Sequence, residues 1–83
     1  MMNKITLLFF ATLKDYAGTR QTEMEIEPGT KVADLKNRLM KKFPKLEPAL
    51  GTVLVSVNKE FAFDHEEIPE GAEVALFPPV SGG

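Results

Sequence analysis

Across residues 22–27, Glu23, Glu25 and Glu27 interleave with Met24 and Ile26. A period of two is that of a strand with one dry face and one wet face, so Met24 and Ile26 are expected to point inward and the glutamates into water. Residues 4–10 are nearly continuously apolar, as in a strand covered on both faces or lying centrally in a sheet. The stretch ATLKDYAGTR between these two segments has no clear period and reads as irregular. Pro28-Gly29 breaks the alternation, and Thr30 stands where a helix N-cap belongs, its hydroxyl able to accept from a backbone N–H without a helical partner. Val32, Leu35, Leu39 and Phe43 then recur at spacings of three and four, one stripe of an amphipathic helix. Asp34 in its first turn and Lys41 and Lys42 in its last suit the helix dipole, and Pro44 ends it.

Further along, residues 53–57 read as a third strand, Asn58-Lys59-Glu60 as a tight reversal and residues 61–63 as a short fourth strand. Ile68-Pro69-Glu70-Gly71 is turn chemistry, and residues 73–77 form the last strand. The order strand, strand, helix, strand, short strand, strand predicts an α+β domain with one main helix packed across one face of a sheet. The opposite face is then partly exposed. Alternation on the last strand puts Val74 and Leu76 on one side and Ala75 and Phe77 on the other, so Phe77 is expected off the core.

Length and composition narrow the functional classes. Eighty-three residues, 43% hydrophobic, describe one domain near the lower end of self-sufficient size, spanning residues 1–77, with residues 78–83 as a functional tail. With no cysteine there is no disulfide, thiolate metal ligand or cysteine nucleophile. A net charge of −2 argues against a general nucleic-acid binder. The apolar N-terminal run lacks a signal-peptide cleavage site and is too short to span a bilayer, so neither membrane nor secretion is expected, and the cytoplasm is the predicted location. Asp64-His65-Glu66-Glu67 brings together acids and the single histidine, but without metal-ligand spacing it reads as a solvated acidic turn. Six basic residues between Lys31 and Lys45 read as a solvated helix face. No nucleophile elbow, phosphate-binding glycine loop or catalytic triad can be assembled, so no catalytic side chains of its own are expected.

The sequence closes on FPPVSGG. Pro78 and Pro79 lack N–H groups and have fixed φ, so they leave the sheet as a stiff stem. Gly82 and Gly83 follow as backbone without Cβ atoms, able to thread a channel too narrow for side chains and bring an α-carboxylate to a reacting centre. Ordering each glycine costs on the order of 1–2 kcal/mol, which contacts from a partner must offset.

LLFFATLKDYAG, VNKEF, FDHEEIPEGAEVALF and PPVSGG together resemble the ubiquitin-like sulfur carriers, in particular the small-subunit family of molybdopterin synthase, over essentially the whole chain. Ala72 departs from that family, which usually has Asp after the turn glycine. The resemblance implies a ubiquitin-like β-grasp fold with a mixed sheet. It implies that the Gly83 carboxylate, with Gly82 beside it, is adenylated by an ATP-dependent activating enzyme, converted to a thiocarboxylate, and delivers sulfur to a cyclic pyranopterin precursor for dithiolene formation. ATP belongs to the activating enzyme and no cofactor is expected on the carrier itself. The implied partner is the large synthase subunit, met through Phe10, Phe61 and Phe77 with the tail residues Pro78, Pro79, Val80 and Ser81. Two other uses of the same tail stay open: sulfur supply for thiamin or tRNA thiolation, and conjugation through Gly83 to lysines of other proteins.

Overall fold

A computed structural model describes residues 2–79. The elements run β1 (Asn3–Phe9), α1 (Thr12–Ala17), β2 (Gln21–Ile26), α2 (Val32–Lys42), a 3-10 turn at Pro44–Leu46, α3 (Glu47–Leu50), β3 (Leu54–Val57), β4 (Glu60–Phe61) and β5 (Glu73–Phe77). The strands form one mixed sheet in the order β2-β1-β5-β3-β4, with β1 and β5 parallel and the other neighbours antiparallel. The expected α+β architecture is what the chain adopts.

Register builds the inner face. Phe9 lies opposite Leu76 and Leu76 opposite Val55, while Leu7 lies opposite Val74 and Ile5 opposite Met24. Val32, Leu35 and Leu39 of α2 pack onto this layer and are almost completely buried. Each such side chain contributes about 1.5–3 kcal/mol by leaving water. Phe43, the fourth member of the predicted stripe, lies one residue past the helix, half-buried and edge-on to Phe9 with ring centroids 5.5 Å apart.

β1 is interior to the sheet but not covered on both faces. Ile5, Leu7 and Phe9 are buried and Leu8 only half so. ATLKDYAGTR is not irregular: Thr12–Ala17 form α1, which buries Leu13 and ends at Gly18, whose φ of +77° and N–H bond to the Lys14 carbonyl (2.9 Å) close the last turn. The 3-10 turn and α3 also lie outside the sequence reading, and they drop Leu46 and Leu50 into the core. β4 is shorter than expected, because beyond the Ala62 N–H bond to the Val55 carbonyl the next amide, that of Phe63, donates to the Glu66 carboxylate and the chain turns away. Asn58 and Lys59, with φ of +52° and +72°, make the two-residue hairpin loop joining β3 to β4.

Thr30 is not the helix cap. Its hydroxyl donates to the Glu27 carbonyl (2.6 Å) and closes the Pro28-Gly29 turn instead. The cap position is Lys31, whose N–H donates to the Asp34 carboxylate (3.0 Å), and the amides of Val32 and Ala33 donate to the carbonyls of Glu66 and Asp64 (2.9 and 3.0 Å). A distant loop thus satisfies donors that a capping hydroxyl would otherwise serve. Ala72 is fully buried in the core, and the turn before it is closed by backbone bonds from Gly71 N–H to the Lys4 carbonyl and from Ala72 N–H to the Pro69 carbonyl. Among the described residues no helix is long and apolar enough to cross a membrane.

Candidate functional site

The outer sheet face is built by the alternate residues of the same strands. Reading across, Leu8 lies opposite Ala75, Ala75 opposite Ser56 and Ser56 opposite Phe61. In the next row toward the end of β5, Phe77 lies opposite Leu54, and Phe10 stacks flat on Phe77 with ring centroids 4.7 Å apart and planes 12° from parallel. Two rows, apolar except for Ser56, therefore run over this side of the sheet, the first of them reaching β4. On the β2 side the face is polar, carrying Gln21, Glu23, Glu25 and Lys4, with Lys4 Nζ 3.6 Å from the Glu23 carboxylate.

Phe10 is 43% exposed, Phe61 is 72% exposed and Phe77 is half-buried, so Phe77 lies off the core as alternation predicts, and the sheet brings all three to one face. Phe77 is less open than alternation alone suggested, because Phe10 covers one side of its ring. The Phe10 amide donates to the Leu76 carbonyl (3.2 Å) and the Phe10 carbonyl accepts from Leu13 N–H (3.1 Å), so backbone bonds at both of its ends hold that ring in place. Between Phe10 and Leu13 the chain turns at Ala11, whose φ of +54° and ψ of −131° belong to glycine territory. Pro78 is half-buried and Pro79 exposed, both following directly from β5. Val80, Ser81, Gly82 and Gly83 lie outside the described residues.

Sequence reading placed Ala75 on the side of Phe77 but missed Leu8, Leu54 and Ser56 as members of this face. The signal was parity: Leu8 shares its strand side with Phe10, and Leu54 with Ser56. A run read as covered on both faces hides that parity.

The acidic loop has a structural role. Its Asp64 carboxylate pairs with Lys36 Nζ at 2.7 Å, and its backbone carbonyls close the start of α2. Of the helix cations, Lys36 is held in that pair and Arg38 donates to the Glu25 carbonyl (2.7 Å) on the outer edge of β2.

Residues 7–83 match the family model described as the ThiS family. A protein of Escherichia coli named molybdopterin synthase sulfur carrier subunit is 38% identical over 82 residues, covering 95% of this chain and 99% of that one. Among solved structures, small archaeal modifier protein 1 of Haloferax volcanii superposes with a TM-score of 0.84 at 32% identity, covering 96% of this chain and 99% of its own. A complex of subunits 1 and 2 of the molybdopterin-converting factor of Helicobacter pylori contains a chain with a TM-score of 0.69 at 21% identity, covering 96% of this chain and 99% of that chain, a likeness of fold.

Proposed function

The chain belongs to the ThiS family, and from that membership we propose that it works as the sulfur carrier subunit of a molybdopterin synthase. The observation that carries this reading is the full-length match to the Escherichia coli subunit of that name. The apolar rows around the root of the tail support it, because a carrier has to present its tail and a docking surface together.

In this reading the Gly83 carboxylate attacks the α-phosphate of ATP on an activating enzyme, releasing pyrophosphate and leaving an acyl adenylate. A sulfur nucleophile then displaces AMP and leaves a thiocarboxylate. Glycine suits both steps, since no side chain shields its carbonyl carbon. The loaded tail enters the large synthase subunit, which supplies the catalytic side chains, and sulfur passes to the pyranopterin precursor. Phe10, Phe61 and Phe77 contact that subunit, Pro78 and Pro79 aim the tail, and Val80, Ser81 and Gly82 thread its channel. The cytoplasm, where ATP is at hand, is the place of work.

Incubation with ATP, an activating enzyme and a sulfur donor, followed by intact-mass analysis, tests this. The expected product is heavier by the exchange of one oxygen for sulfur, located on the terminal peptide. A chain left at its starting mass by an activating enzyme that loads the Escherichia coli subunit would overturn the reading. The Haloferax volcanii neighbour bears the name of a modifier protein, which favours conjugation as the second reading. Ladders of conjugates in cells, lost on deletion of Gly83, would establish it.

A further inference from the structure

Ala75 and Ser56 face outward on the sheet, yet they are only 6% and 8% exposed. Among the described residues nothing packs over them as α2 packs over the inner face; they are shaded by their taller neighbours. Leu8 and Phe61 stand at the two ends of their row, Phe10 and Phe77 along one side, and Lys59 and Glu73 at the opposite rim. The result is a hollow of about 330 Å³ with small residues on the floor and mostly apolar walls. That is at the lower limit of small-molecule pockets, which start at about 300 Å³. It holds one large side chain and is too small for a helix.

Resting on the carrier reading above, we propose that this hollow receives a single bulky apolar side chain of the large synthase subunit, and that the small size of Ala75 and Ser56 determines which partner fits. The hollow adjoins the Phe10–Phe77 stack from which the tail departs, so a partner that takes in the tail also lies over the hollow. Hot spots of interfaces concentrate where an anchor side chain enters a pocket ringed by groups that exclude water, and Leu8, Phe10, Phe61 and Phe77 form such a ring. Filling the hollow from below leaves the walls and the net charge unchanged while adding apolar area, so general stickiness would raise affinity and lost steric fit would lower it. It therefore separates steric fit from general stickiness.

The experiment compares the parent, Ala75→Met, Ala75→Ser and, on the neighbouring strand, Ser56→Leu for binding to the purified large subunit by calorimetry, with circular dichroism melts as the check of folding. The expected result is binding weakened at least about tenfold by Ala75→Met and by Ser56→Leu in folded protein, and unchanged by Ala75→Ser, which keeps the floor low. If one of the two enlarging variants unfolds, the other decides. Binding within about twofold of the parent in a folded enlarged variant overturns the hollow as the docking point while leaving the carrier reading intact. Failure of the parent itself to bind, together with no thiocarboxylate in the mass assay, overturns both. Self-association of the parent that disappears in Ala75→Met would assign the hollow to a second copy of this chain and overturn the proposal.

Discussion

Ala11 is the residue at which local and global demands conflict most plainly. The turn from β1 into α1 needs a backbone conformation that an L side chain adopts only with strain, on the order of 1–3 kcal/mol, and the position carries a methyl group. Ala11→Gly removes that strain and gives back part of the gain by loosening the unfolded chain. The net expectation is a gain of about 1 kcal/mol, read as a thermal midpoint roughly 4–8 °C higher. An unchanged or lower midpoint would show that the turn is unstrained. At Phe77 the expectation runs the other way. Phe77→Ser removes the partner of Phe10 but no member of the inner layer, so the protein should stay folded with a somewhat lower midpoint. Affinity for the large subunit should fall by about 2 kcal/mol or more in calorimetry, since aromatic anchors dominate interface energies. The position of Phe77 was legible from alternation across 73–77. Its stacking on Phe10 was not, because that contact joins residues far apart in the chain.

Among the elements, α2 is the clearest case of a stripe that the sequence makes readable and a start that it does not. Val32, Leu35 and Leu39 are buried where the spacing put them. Leu39→Asp places an unpaired charge at a fully buried position, at a cost of several kcal/mol in a small core without disulfides, and should abolish the cooperative melt. A parent-like melt would mean that Leu39 is not in the core. The start of α2 was misassigned to Thr30 because its first amides are satisfied by the carbonyls of Asp64 and Glu66, which no local pattern announces. α1 was missed for the opposite reason. Six residues with one buried side chain give too few repeats for a period, and only Gly18 just past the end marked a helix. On the outer face, alternation put Ala75 beside Phe77, but neither it nor Ser56 announced a hollow, since small residues signal nothing until neighbours rise around them.

For the molecule as a whole, the proposed carrier role divides the work between domain and tail, and stability should be separable from activity. Adding one alanine after Gly83 touches no core residue but moves the terminal carboxylate and sets a Cβ beside the reacting carbon. The melt should match that of the parent, while thiocarboxylate formation falls by about 100-fold or more, the scale on which misplaced reacting groups fail. Equal loading of the extended chain, untrimmed, would rule out the diglycine as the site. The same division gives a meaning to the place of β5 in the sheet. In chain order β1 and β2 form one antiparallel pair and β3 and β4 another, and no hydrogen-bonded strand joins the two until β5 slots between β1 and β3. The sheet is therefore continuous only once residues 73–77 are in place, and the strand that completes it is the one that leads into the tail. A chain cut short before it has neither a closed sheet nor a donor end.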